Sequence, residues 1–203
     1  MDTGLIIIDN FYDDPDSMRD LALSCEYCPE KVSKGHPYGM APWSGKMSKE
    51  CHSPDNMDAI VSKLLHKNIR QMRQYDSGMF RITHKTNAIG MFDNDIHADN
   101  HEDIYYAGVL YLSKNQDTTP GTLFYKQKST NLDRAINQDQ VDSIERLKEH
   151  NDINNWIVHT VSNVVYNRLV IYPASKFHGP GPGFGTTDET ARLVQLFSWV
   201  DIK

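Results

Sequence analysis

From residue 79 onward the chain is a succession of short segments rich in β-branched and aromatic residues. They are Phe80 to Thr83, Tyr105 to Leu112, Thr122 to Tyr125, Val161 to Tyr166, Leu169 to Tyr172 and Arg192 to Val200. Segments of this kind are stable only when each pairs with neighbours and turns a face to a core. Asn167-Arg168, between two of them, predicts a tight hairpin. One helical insert, about 139–150, interrupts the series with Val141, Ile144 and Leu147 on one side.

The first 78 residues read differently. Leu5 to Ile8 predicts a short strand. Asp14-Pro15-Asp16 is a helix start, with a carboxylate to cap the free amides and a proline in the first turn. A helix of about a dozen residues follows through Met18, Leu21 and Leu23. Lys34 to Pro54, with Gly35, Pro37, Gly39, Pro42, Gly45 and Pro54, predicts irregular loop. Between Asn56 and Tyr75, apolar residues at Met57, Ile60, Val61, Leu64, Leu65, Ile69 and Met72 recur in helical steps, so this helix should lie against a sheet. Helices followed by many short strands imply an α+β chain built on a jelly roll or barrel. With 203 residues and no repeat or long linker, one domain spanning 1–203 is expected: mostly helical support over 1–78 and a β core over 79–203.

Charge and cysteine content narrow the function. The net charge is −6 and Lys and Arg are scattered, which argues against nucleic acid, whose phosphates need clustered cations. The apolar run Leu5 to Ile8 is too short for a signal peptide or a membrane span. Cys25, Cys28 and Cys51 cannot all pair within one chain, and a reducing cytoplasm is the expected location. Cys25-x-x-Cys28, with Cys51, His52 and His36, sketches a zinc site but lacks a second spaced pair. Small apolar residues near a helix end serve a core equally well.

A His-x-Asp step places an imidazole and a carboxylate on the same side of an extended strand. With 9 His in the chain, chance supplies about one such step, and there are three: His97-Ala98-Asp99, His101-Glu102-Asp103 and His150-Asn151-Asp152. His150 closes a charged helical stretch and His101 lies in a polar run. His97 follows Phe92 to Ile96 and precedes the strongest strand, so it best fits a sheet position.

Around it the order of motifs is distinctive. His97-Ala98-Asp99-Asn100 leads to the strand Tyr106 to Ser113, then Gly121-Thr122-Leu123-Phe124-Tyr125, then Asn167 to Tyr172 and Phe177-His178, with Arg192-Leu193-Val194 beginning 14 residues after that histidine. The opening phrase Ile8-Asp9-Asn10-Phe11 fits the same pattern. In this combination the chain resembles the prolyl-4-hydroxylase-like branch of the 2-oxoglutarate/iron(II) oxygenases. Two features depart from the family: the final spacing is lengthened by Gly179 to Gly185, and Ser113 stands where asparagine is common.

The resemblance implies a double-stranded β-helix, cupin-like, with the N-terminal helices packed on one sheet. It implies iron(II) held by His97, Asp99 and His178, and 2-oxoglutarate anchored through its distal carboxylate by Arg192, whose guanidinium fork suits a carboxylate. Tyr111 would assist and Asn87, ten residues before His97, would add a polar contact. The implied activity is O2-dependent hydroxylation of a C–H with release of succinate and CO2, stimulated by ascorbate. The substrate, a small molecule or a peptide, is not legible; Tyr38, Trp43, Trp156, His101 and Tyr105 are candidates for lining a mouth. Oligomeric state is equally hidden. Two other readings stay open: a non-catalytic jelly-roll binding module, and a zinc enzyme using the same His/Asp/His set.

Overall fold

The computed structural model describes residues 4–28, 45–72, 77–85, 96–102, 104–114, 116, 118–147, 149 and 152–202. A three-residue strand, β1 (Ile6–Ile8), leads to helix α1 (Pro15–Ser24). The start of α1 follows from its sequence. The Asp14 carboxylate accepts the Ser17 amide at 3.0 Å, and Pro15 occupies the first turn, where no amide is needed. Ala22 is buried against the sheet, and Arg19 reaches under the helix to donate to the carbonyls of Leu112 (3.0 Å) and Glu189 (2.6 Å).

Next come β2 (Lys46–Met47), α2 (Met57–Leu65), β3 (Ile69–Gln71) and β4 (Phe80–Thr83). Two expectations are corrected here. Lys46 and Met47, inside the expected loop, pair with Ile82 and Arg81. The helix expected to reach residue 75 stops at Leu65, because His66 turns left-handed at φ +52° and the Ser62 hydroxyl accepts the Ile69 amide at 3.0 Å. Ile69 keeps the helical spacing by coincidence; it is buried in the same cluster as Met57 and Val61, but from a strand.

The remaining elements are β5 (Tyr105–Tyr111), β6 (Pro120–Gln127), α3 (Gln138–Arg146), β7 (Trp156–Asn163), β8 (Arg168–Pro173), β9 (His178–Pro180) and β10 (Arg192–Asp201). One sheet runs β1-β8-β5-β10-β4-β2, with β3 also on β10; the other runs β7-β6-β9. All pairings are antiparallel. The Asn167-Arg168 hairpin does not form. β7 begins at Trp156, ends at Asn163 and pairs with β6, whereas β8 pairs with β1 and β5. Asn167, at φ +61°, instead carries the chain from one sheet to the other. Its amide donates to Tyr111 O at 2.8 Å and its side chain grips both backbone groups of Tyr12.

Alternation sorts the core. On β5, Leu110 faces α1 and α2 with Phe80, Leu169, Leu193 and Trp199. Val109 and Tyr111 face inward, with Phe124, Val170, Tyr172 and Val194, and fill the space between the sheets. A third cluster, Ile96, Tyr125, Ile144, Trp156 and Phe177, joins the small sheet to the insert. Trp156 is thus core rather than mouth: it is 3% exposed, and its indole N–H donates to Glu149 O at 2.9 Å. Of the apolar side expected on the insert helix, Ile144 is buried while Leu147 is 61% exposed.

Candidate metal centre

His97 lies at the edge of the small sheet and not within a named strand. It pairs with His178 at the start of β9 by two backbone hydrogen bonds of 2.9 Å, one in each direction. This antiparallel bridge sets the two imidazoles side by side, ring centroids 4.5 Å apart. Asp99, two residues on, projects to the same side. Its Oδ1 is 3.3 Å from His97 Nε2 and its Oδ2 is 3.7 Å from His178 Nε2. The three donor atoms lie within 4.8 Å of one another, the one such three-donor cluster among the described residues. Small side-chain rotations bring them onto one face of a single ion, and the donor set, two imidazoles and a carboxylate, is the one that suits ferrous iron with positions left open.

The charge state suits this. Desolvation works to raise the Asp99 pKa, but His178 and His97 outweigh it and hold the carboxyl below its ordinary range. His178 Nδ1 is 2.9 Å from the Lys176 carbonyl. Since a carbonyl only accepts, the neutral ring carries its proton on Nδ1 and presents the Nε2 lone pair towards Asp99. That carbonyl is itself held in place. The Lys176 ammonium, 3% exposed, pairs with Asp133 at 2.7 Å, the Phe177 amide donates to Asp133 O at 3.0 Å, and the Ala135 amide donates to Ser175 O at 2.8 Å. The segment after β6 is therefore zipped to the one carrying His178.

Arg192 opens β10 and turns into the space between the sheets, where it is 3% exposed. One guanidinium nitrogen donates to Gly121 O at 2.9 Å, while Nε is sealed off with no partner. No carboxylate pairs with Arg192 among the described residues. Burial works against its charge, and an arginine stays charged regardless. A buried cation with an unused donor is a cradle for an anion. Tyr111, fully buried on the adjacent strand β5, donates to Thr122 Oγ1 at 2.8 Å. Gly121 completes this end: a Cβ there would sit 2.7 Å from Tyr111 Cζ, and its carbonyl also accepts the Gly181 amide at 2.8 Å.

The structure thus brings His97, Asp99 and His178 together and sets Arg192 and Tyr111 side by side in the same inter-sheet space. Asn87, Tyr38, Trp43 and His36 lie outside the described residues. His101 and Tyr105 are half-buried. Cys25 Sγ is 3.4 Å from His52 Nε2, but the described cysteines form no disulfide and no three-donor group. Asp133 and Lys176 are absent from the sequence reading, because no spacing rule links residues that meet only through the fold.

A family model described as a family of unknown function, DUF6445, matches residues 1–181, so the chain belongs to that family. No curated protein matches the sequence. Among solved structures, the chain is similar to HygX from Streptomyces hygroscopicus with iron bound, at 12% identity and TM-score 0.53, over 98% of this chain and 82% of that one. It is similar to the non-heme alpha-ketoglutarate-dependent epimerase SnoN from nogalamycin biosynthesis at 12% identity and TM-score 0.54, over 98% and 78%. A prolyl hydroxylase from Trichoplax adhaerens, in complex with a hypoxia-inducible-factor peptide fragment, matches at 14% identity and TM-score 0.50, over 98% and 83%. The fold is therefore the jelly roll of the 2-oxoglutarate/iron(II) oxygenases.

Proposed function

We propose that this member of DUF6445 is a non-haem iron(II)- and 2-oxoglutarate-dependent oxygenase in which His97, Asp99 and His178 hold the iron and Arg192, with Tyr111, receives the distal carboxylate of 2-oxoglutarate. The observation that carries the reading is the pairing of a His/Asp/His cluster with a buried arginine whose Nε has no protein partner, both lining one inter-sheet space. A zinc hydrolase or a bare binding module gives the arginine no task.

Bound together, iron(II), 2-oxoglutarate and O2 supply the oxidation of a substrate C–H, with release of succinate and CO2. The chain's own part is to hold and exclude. His178 is fixed in its tautomer by the Lys176 carbonyl. Asp99 stays ionised beside the two imidazoles. Phe124, Val194 and Tyr172 wall the space between the sheets against bulk water. Asp99 remains 38% exposed at its side chain and His97 22%, so the centre opens to the outside on their side, where a small molecule or a peptide side chain would approach. Hydroxylation is the outcome we propose, although SnoN, of the same fold, is an epimerase. A reducing cytoplasm, where thiols such as those of Cys25, Cys28 and Cys51 stay reduced, is the location proposed.

The test is succinate formation from 2-oxoglutarate by anaerobically purified protein given iron(II), ascorbate and air. Activity should vanish in His97→Ala and require far more 2-oxoglutarate in Arg192→Ala. Absence of turnover together with absence of metal-dependent 2-oxoglutarate binding would defeat the oxygenase reading and favour the binding module. Zinc bound at the triad with no metal-dependent 2-oxoglutarate binding would favour the zinc enzyme.

A further inference from the structure

Tyr172 stands on β8, paired with Ala107, with its side chain in the space between the sheets. It is 3% exposed. Its ring lies 4.8 Å from that of His178 and 5.0 Å from that of Phe124. A phenylalanine would make those ring contacts equally well. A buried tyrosine hydroxyl ordinarily finds a hydrogen-bond partner, since leaving one unmade is costly. Tyr111, on the same inner face, does so with Thr122. No described residue hydrogen-bonds the Tyr172 hydroxyl, and that oxygen is not among the sealed, unpartnered atoms, so it faces open space. Asp99, Tyr111 and Arg192 all lie close enough to act on it electrostatically. It therefore lies beside the His/Asp/His cluster, within electrostatic reach of Arg192, with a donor unspent.

Resting on the functional reading above, the geometry points to Tyr172 as a co-substrate-binding residue whose hydroxyl donates a hydrogen bond to the metal-side carboxylate of the bound 2-oxo acid. The ring's neighbour His178 belongs to the metal end, and Arg192 already serves the far end, so the unspent donor falls to the keto-acid group. Tyr172 then differs from Tyr111, which is anchored to Thr122 and stands over Gly121.

The test is anaerobic titration of the iron(II)-loaded protein with 2-oxoglutarate and with 2-oxopentanoate, which keeps the keto-acid end and lacks the distal carboxylate. Tyr172→Phe should weaken both ligands equally, by about tenfold, as expected for loss of a hydrogen bond to a charged acceptor. Its iron affinity and thermal midpoint should match the wild type. Arg192→Lys should weaken 2-oxoglutarate and leave 2-oxopentanoate unchanged. An unchanged Tyr172→Phe overturns the inference. So does a loss confined to 2-oxoglutarate, which would put the hydroxyl at the far end, or a loss traced to weaker iron binding, which would tie it to Asp99. Failure of the functional reading looks different: the iron-loaded wild type itself would bind neither ligand, and the inference would fall with it.

Discussion

The large sheet is covered on both faces. α1 and α2 bury Leu110, Leu169, Leu193 and Trp199 on one side, and the small sheet covers Val109, Tyr111 and Val194 on the other. The small sheet has three strands, and its edge strand β7 leaves Ile157, Val158 and Val161 between 41% and 48% exposed. Arg192 is embedded in the thick layer, at the start of β10. The His97, Asp99 and His178 cluster hangs on the thin one, on β9 and the short bridge to His97. If the cluster holds iron as proposed, this separation makes losing the metal and losing the fold different events, each to be provoked without the other.

The largest effect should come from the thin side. His178→Ala should lower iron(II) affinity by at least a hundredfold, measured by anaerobic titration, while thermal unfolding of the metal-free protein shifts little. On the thick side, Phe80→Ala, with Phe80 fully buried under the helices, should cost about 3–5 kcal/mol in chemical denaturation. The folded fraction should still bind metal at wild-type affinity. If Phe80→Ala weakened metal binding as much as it weakened folding, the division between the sheets would be wrong.

Asp133→Asn sits between these extremes, because it strands the buried Lys176 ammonium that lies two residues before His178. It should lower stability by roughly 2–4 kcal/mol and iron affinity by about tenfold, both read on one preparation. The same pair gives a pH signature. Desolvation raises the Asp133 pKa, but Lys176 and Arg134 outweigh it and leave it depressed. A depressed folded-state carboxyl stabilises above its unfolded pKa, about 3.9, and that stability fades as pH falls through the folded value. Unfolding midpoints followed from pH 6 downward should therefore drop more steeply in wild type than in Asp133→Asn. The smallest effect is expected on β7: Val158→Thr should change stability by less than about 0.5 kcal/mol.

What the sequence disclosed followed local rules. The cap at Asp14 and the His97-x-Asp99 step are readable because capping and i,i+2 geometry act over a few residues, whereas His178 and Arg192 entered only through the resemblance to the order of the family's motifs. β3 was hidden because Ile69 and Met72 happen to fall at helical spacing, and the decision to stop lies in His66 and the Ser62 hydroxyl. The early start of β7 at Trp156 was hidden by the polar run that precedes it. The crossing at Asn167 was misread because a left-handed asparagine marks a tight turn without saying which sheet the next strand joins. Asp133 and Lys176, 43 residues apart, become neighbours only in the fold, which no short window displays, and Tyr172 and His178, though six residues apart, sit on strands of different sheets.

Gly121 is asked three things at once: its carbonyl accepts both Gly181 and Arg192, and its missing side chain makes room for Tyr111. For a mutational library this makes it a blind spot. Nineteen replacements there would meet the Tyr111 ring at once, and only a smaller side chain at position 111 would relieve them. Variation aimed at a new substrate belongs on the exposed side of the Asp99 rim, where altered side chains do not disturb the joint that closes the two sheets.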